Sequence, residues 1–247
     1  MKNLNSVEYR LYLKSFLVFI RGQLLVFKSQ YVRLSKKVFL NNSWYGNDYG
    51  GFFVYPDILN EHSIVYSFGI GEDISFDKDI IAKHGCAVFG FDPTPKSIAW
   101  IENNSIPSQF SFFPYGIDDV TGIKTFFLPK NKNHVSGSVV EVDTISKLDA
   151  IDVCMKSFAD IIKDLGHNEI DVLKMDIEGS EYKILPTILN SNVVVKQILI
   201  EFHHRMIKNG AKLTYDSIEL LDRHGYKLFA FSKSKEELSF IKTNYIK

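Results

Sequence analysis

From Ser63 onward, short runs of β-branched and aromatic residues alternate with helical patterns, and no other feature limits the fold of this chain as strongly. The runs are Ile64–Gly69, Cys86–Asp92, Phe110–Ile117, Ile151–Met155, Ile170–Asp176, Val194–Phe202, Tyr226–Phe231 and Leu238–Thr243. Most central ones are apolar throughout, as parallel strands covered on both faces must be. Gly85, Gly166 and Gly225 stand where helices should end, each ahead of a strand. Thr94-Pro95 reads as an N-cap followed by proline in the first turn, and Ser157 with Asp160 as a capping box. The link Ser232–Glu237 is too short for a crossover helix, so the last two strands should pair antiparallel. The pattern predicts an α/β fold: an open, doubly wound, mostly parallel sheet with an antiparallel C-terminal hairpin.

Between Asp118 and Val142 the alternation fails. Ile123–Leu128 reads as an extra strand and Lys130–Ser138 as a polar stretch without period, together an insertion beside the active face.

The chain has 29 basic and 29 acidic residues, so its surface as a whole does not track nucleic acid. The neutrality hides an asymmetry: residues 1–40 carry eight basic groups against Glu8 alone. Tyr12, Leu13, Phe16, Leu17, Ile20, Leu24, Phe27, Tyr31, Leu34 and Val38 recur at helical spacing, giving a basic amphipathic extension over residues 1–43 and a main domain over 44–247. Such a helix packs on the body or on a second copy, or lies on an anionic membrane surface at the inner face. Its longest apolar run, Phe16–Ile20, is far short of the about 20 residues that span a bilayer. Cys86 and Cys154 stand apart, which suits a reducing cytoplasm rather than a disulfide scaffold.

In an open α/β sheet, ligands bind at the carboxyl ends of the strands. The first strand ends in Ser67-Phe68-Gly69-Ile70-Gly71-Glu72-Asp73, and the second, 21 residues past Gly71, in Asp92-Pro93-Thr94. Glycines permit close backbone approach, and an acid at that distance suits ribose hydroxyls. With the end of the third strand, Gly116 and Ile117, these residues are the candidate cofactor contacts. Glu72 and Asp73 occupy the turn where a dinucleotide would set its pyrophosphate. Two like charges at roughly 4 Å repel by about 4 kcal/mol at an effective dielectric of 20. S-adenosylmethionine has no phosphate and carries a sulfonium and an ammonium, so the charge pattern favours it over NAD. A helix-capping role for the two acids remains open beside this.

The strand Ile170–Asp176 continues Ile177-Glu178-Gly179-Ser180-Glu181. Asp176 and Glu178 are candidates for the methionine end of the cofactor or the acceptor, whereas Glu181 reads as an exposed or capping residue. Lys174, within the strand, is a partner for one of these acids. The next strand delivers Glu201, His203 and His204 to the same edge. Methyl transfer to oxygen needs a way to remove the hydroxyl proton, and histidine is the usual base near neutral pH. His203 or His204, with Asp176, are therefore the catalytic candidates, and Glu201 and His203 the substrate contacts. A divalent metal on Asp176, Glu178, Glu201 or a histidine is chemically reasonable, but no spacing here is a metal-ligand signature, so none is assigned.

The segment Ile170–Glu181 resembles the Lys-x-Asp-x-Glu-Gly-x-Glu hallmark of the FkbM-type methyltransferases. Val65–Phe76 and Phe91–Pro95 resemble the cofactor loops of that family's methyltransferase-like subgroup, and the likeness runs over about residues 44–232. The resemblance implies a class I methyltransferase (Rossmann-like) fold, S-adenosylmethionine as donor, and O-methylation of a sugar, glycan precursor or other small hydroxyl compound, as in polysaccharide biosynthesis. By it, Gly69, Gly71 and Asp92 correspond to cofactor contacts and Asp176 and Glu178 to the hallmark. Ser67 departs where many such enzymes have an acid, and Asp73 where many have a third glycine; Asp73 is then the charge that Ser67 lacks. Two rivals remain: an NAD-dependent sugar-nucleotide enzyme, and a non-catalytic module that holds a membrane or partner through residues 1–40.

Overall fold

The computed structural model describes residues 32–129 and 145–246, and the side chains of these spans except 127–129 and 145–149. In chain order the elements are β1 (Ser43–Tyr45), β2 (Phe52–Val54), β3 (Ile64–Phe68), α1 (Ser75–His84), β4 (Ala87–Phe91), α2 (Pro95–Asn103), β5 (Phe110–Phe113), β6 (Gly116–Asp118), β7 (Gly122–Pro129) and β8 (Ile145–Ser157). They continue as α3 (Phe158–Leu165), β9 (Glu169–Met175), α4 (Glu181–Leu189), β10 (Val194–Glu201), α5 (Gly210–Arg223), β11 (Tyr226–Phe231) and β12 (Glu237–Lys242).

Seven strands form one sheet in the order β11-β12-β10-β9-β3-β4-β5. β3 is parallel to β4 and β9, β4 to β5, and β9 to β10, while β12 runs antiparallel to both β10 and β11. The chain enters at β3, winds outward to β5, and returns to β9 on the other side of β3. Their carboxyl ends therefore flank the switch point where a doubly wound sheet opens a crevice. This is the class I methyltransferase architecture that the resemblance implied, with the C-terminal hairpin antiparallel as its short link requires.

Strand alternation sends side chains to two cores. Tyr66, Phe68, Leu173 and Met175 face α3, α4 and α5 through Phe158, Ile161, Ile184, Leu185 and Leu221. Val65, Val88, Val172 and Leu199 face α1 through Phe76, Ile80 and Ile81, with Trp100 and Ile101 of α2 beside them. Apart from the half-buried Trp100 and Ile101, these side chains are buried, each contributing about 1.5–3 kcal/mol on transfer from water. The helix signals act as read: the Thr94 hydroxyl accepts from Ser97 N–H at 3.3 Å, and the Ser157 hydroxyl from Asp160 N–H at 3.1 Å.

Two expectations are corrected. Phe110–Ile117 is two strands in two sheets, because Pro114 has no N–H to give a ladder and Tyr115 N–H turns back to Phe113 O at 2.8 Å. β6 leaves to join a second sheet, ordered β6-β8-β7, which contains the predicted strands at 123–128 and 151–155. The amphipathic stripe of the extension also ends early. Residues 32–42 form no helix: Lys37 N–H donates to Leu228 O at 2.8 Å, and Val38 and Leu40 pack near Phe229 and Ile241. The rest of that stripe, residues 1–31, and the polar 130–138 segment lie outside the described residues. None of the described helices is long and apolar enough to cross a membrane.

Candidate functional site

At the switch point lies a cavity of about 450 Å³. One bank comes from the turns after β3 and β4. The chain leaves β3 through Gly69 at φ 76°, pressed against β9 so closely that a Cβ would stand 1.7 Å from Asp176 O. No other residue fits there. Gly69 N–H donates to Phe91 O at 2.9 Å, and Asp176 N–H to Phe68 O at 3.0 Å, which locks three strand ends together.

Asp92, at the end of β4 and 5% exposed, clasps this bank. Its Oδ2 accepts from Gly71 N–H at 3.0 Å, and its Oδ1 from Thr94 N–H at 2.9 Å and the Thr94 hydroxyl at 2.6 Å. Hydrogen bonds to a charged acceptor contribute about 1.5–3 kcal/mol each, so one carboxylate sets the shape of both turns. Asp73 plays a similar part at the rim: Oδ1 accepts from Ser75 N–H at 2.8 Å at the start of α1, and Oδ2 from Asn47 Nδ2 at 2.7 Å. Capping and cavity lining thus coexist in Asp73.

Of the candidate cofactor contacts, the structure brings Phe68, Gly69, Gly71, Glu72, Asp73, Asp92, Pro93, Thr94, Gly116, Ile117, Asp176 and Glu178 onto the cavity wall. Ser67 is not there. Its side chain is wholly buried on the α1 face of the sheet, beside the Asp77 carboxyl. Beneath the cavity floor Asp77 of α1 is buried as well; burial raises its carboxyl to about 6, against the pull of the Lys174 ammonium and the Ser67 hydroxyl. Lys174, 4% exposed, also reaches toward Gly69 O at 3.4 Å.

The second bank is acidic. Asp176 and Glu178 line the cavity, and behind them stands His203, 8% exposed. Its Nδ1 lies 2.7 Å from Glu181 Oε1. Its Nε2 faces Glu178 Oε2 at 3.5 Å, Asp176 Oδ1 at 3.7 Å and Glu201 Oε1 at 3.8 Å. Burial pulls the imidazole down, but the Glu181 bond and the charges of Glu181, Glu178 and Asp176 outweigh it and push it up to about 11. Burial and the Asp176 charge push Glu201 up to about 9.

The structure places the proposed base and substrate contacts apart from the cavity wall. His203 is hemmed in by carboxylates and does not line the cavity. His204 is 2% exposed, with Nδ1 3.1 Å from Phe202 O, and Gly210 packs against its backbone. Glu201 stands behind Asp176 and outside the cavity wall. Only Asp176 of the catalytic candidates faces the cavity.

Glu181 was misread as exposed. It is fully buried, and its Oε1 accepts from Gly179 N–H at 3.1 Å and Ile177 N–H at 3.3 Å besides meeting His203. The three-residue step from Glu178 to Glu181 gave no hint that the second carboxylate turns back under its own loop. Other wall residues carried no local signal: Phe126 and Met155 arrive from the second sheet, and Asn47, Tyr49 and Gly50 from the β1–β2 connection.

Comparison with known proteins identifies the family. The methyltransferase FkbM domain family matches residues 60–228. A human protein described as probable methyltransferase-like protein 24 is 27% identical over 150 residues, covering 59% of this chain and 34% of the relative. Its rat counterpart is 23% identical over 175 residues, covering 67% and 42% respectively. The chain thus spans less than half the length of the curated relatives it matches. Among solved structures, the Methanococcus jannaschii fibrillarin pre-rRNA processing protein superposes with a TM-score of 0.41 at 13% identity, over 74% of this chain and 67% of that one.

Proposed function

Because the chain belongs to the FkbM methyltransferase family, we propose that it transfers a methyl group from S-adenosylmethionine to a hydroxyl of a saccharide or other small molecule. The observation that carries this reading is the charge of the cavity wall. Its described lining has five carboxylates (Glu72, Asp73, Asp92, Asp176 and Glu178) and one lysine, Lys174, already turned to a backbone carbonyl. A diphosphate would meet repulsion there. A sulfonium and an ammonium would be attracted.

The residues present fit that donor. Gly69 leaves a cradle that any Cβ would fill, so an adenosine can lie against backbone. Asp92 holds the two turns with one oxygen committed to a single N–H, which leaves acceptor capacity for ribose hydroxyls. Phe91 and Ile117 would give the adenine an apolar wall, and Glu72 and Asp73 would attract the cationic methionine end of the donor. When bound, the donor supplies an electrophilic methyl group. Asp176 is the cavity-facing carboxylate that would accept the proton of the acceptor hydroxyl. Exposed Tyr49 at the rim offers a saccharide an aromatic face. Two isolated cysteines support a cytoplasmic setting.

Isothermal titration tests the reading. S-adenosylhomocysteine and S-adenosylmethionine should bind with one-to-one stoichiometry, and NAD(H) should give no heat. Binding of NAD(H) without S-adenosylhomocysteine would overturn the reading in favour of a sugar-nucleotide enzyme.

A further inference from the structure

Sequence alone offered no metal-ligand spacing, yet the fold gathers a nitrogen and several oxygens from two separate strand ends. Asp176 and Glu178 follow β9, and His203 follows β10. One ligand atom from each lies within 4.8 Å of the other two. The distances from His203 Nε2 to the carboxylate oxygens, 3.5 Å for Glu178 and 3.7 Å for Asp176, are too long for charge-assisted hydrogen bonds of about 2.7–2.9 Å. They match the roughly 3.4 Å between ligand atoms that surround one cation at about 2.1 Å in tetrahedral geometry.

We infer that Asp176, Glu178 and His203 form a binding site for one divalent first-row cation.

Two further observations bear on this. First, His203 is aimed: it is 8% exposed, and its Nδ1 is held at 2.7 Å by the buried Glu181 carboxylate, so the other nitrogen is directed into the acids. A carboxylate behind the imidazole is the usual support of a metal-bound histidine, fixing its tautomer and ring orientation. Second, the cluster concentrates negative charge: Asp176, Glu178, Glu181 and Glu201 lie on His203, and Glu237 adds its charge to Asp176 and Glu201. A dication offsets such charge, and a nitrogen–oxygen donor set suits Mn²⁺, Fe²⁺ or Zn²⁺ better than Mg²⁺.

Each residue gives one atom, so Asp176 keeps its second oxygen for the role given it above. Because Asp176 and Glu178 also line the cavity, the ion would sit at its edge with an open position toward the acceptor. The site does not depend on which hydroxyl compound is methylated.

The test titrates Mn²⁺ into the chelator-stripped full chain, reading free Mn²⁺ by electron paramagnetic resonance. One equivalent should bind. His203→Gln and Glu178→Gln should each weaken it about tenfold or more, and Glu181→Gln by about 10–100-fold through loss of the supporting hydrogen bond. Glu61→Gln on the exposed surface should change nothing. For variants that do not fold, electron spin-echo modulation of Mn²⁺ on the unmodified protein should show a directly bound nitrogen. No stoichiometric binding, or binding without the nitrogen coupling, overturns the site. S-adenosylhomocysteine binding measured in EDTA keeps the two readings apart: if it persists while Mn²⁺ fails, only the metal site falls.

Discussion

The two banks of the cavity are built on opposite principles. On the β3–β4 side, the Asp92 and Asp73 carboxylates are satisfied by N–H groups and side chains of their own or neighbouring turns. That bank is a finished mould before any ligand arrives. On the β9–β10 side, Asp176, Glu178 and Glu201 crowd round Nε2 of His203 at 3.7, 3.5 and 3.8 Å. Such crowding costs stability unless a ligand compensates it. Shape is therefore concentrated on one bank, and crowded charge on the other.

The strongest way to break this comparison is His203→Ala. Removing one partner of a buried charge cluster costs about 3–5 kcal/mol, so the midpoint of chemical denaturation should fall sharply in metal-free buffer. Affinity for S-adenosylhomocysteine should stay within about threefold, since His203 does not reach the cavity wall. A large loss of cofactor affinity would mean that the banks are not separate. Asp92→Ala is the reverse case. It removes the acceptor for Gly71 and Thr94, and titration should show cofactor affinity reduced by about a hundredfold or more, from the loss of about 3 kcal/mol of charge-assisted bonding.

Asp77 sharpens the contrast from beneath the floor. Its folded carboxyl, at about 6, lies above the ordinary value of 3.8, so its ionisation opposes folding. Stability from this group is greatest below the unfolded value and is lost as pH rises toward 6. Asp77→Asn should thus raise stability by about 2 kcal/mol near pH 8, with the gain vanishing near pH 4 in urea melts. The smallest effect is expected at Asp118, which meets Lys183 at 2.8 Å and Lys124 at 3.0 Å. Burial raises its carboxyl, but those lysines outweigh burial and hold it at about 2. Its contribution is present above the ordinary carboxylate value and lost as pH falls toward 2. With both lysines partly in solvent, Asp118→Asn should cost only about 1 kcal/mol near pH 7, and nothing near pH 2.

Legibility in the sequence followed the same division. Gly69, Gly71 and Asp92 were readable because each sits in a short turn whose job follows from its neighbours: a tight exit, a close approach, an acid one unit later. His203, Glu201 and Glu181 were not, although all three were visible as titratable residues at strand ends. Whether an imidazole is a base or a caged cation depends on which carboxylates surround it, and these come from elements 22 or more residues away in the chain for Glu181, and from the hairpin beyond Phe231 for Glu237. Pro114 is a local signal of a different kind, since a residue without an N–H forecasts the break that sends β6 into a second sheet.

The run of apolar strands, their glycine-ended helices and the short last link were enough to determine the sheet, its direction and the edge where a ligand binds. Those properties arise from backbone geometry and hydrophobic period, which neighbouring residues control. What only the tertiary structure decided was the electrostatics of the reacting end. Charges act through space at a few ångströms, and the fold alone sets which of them become neighbours.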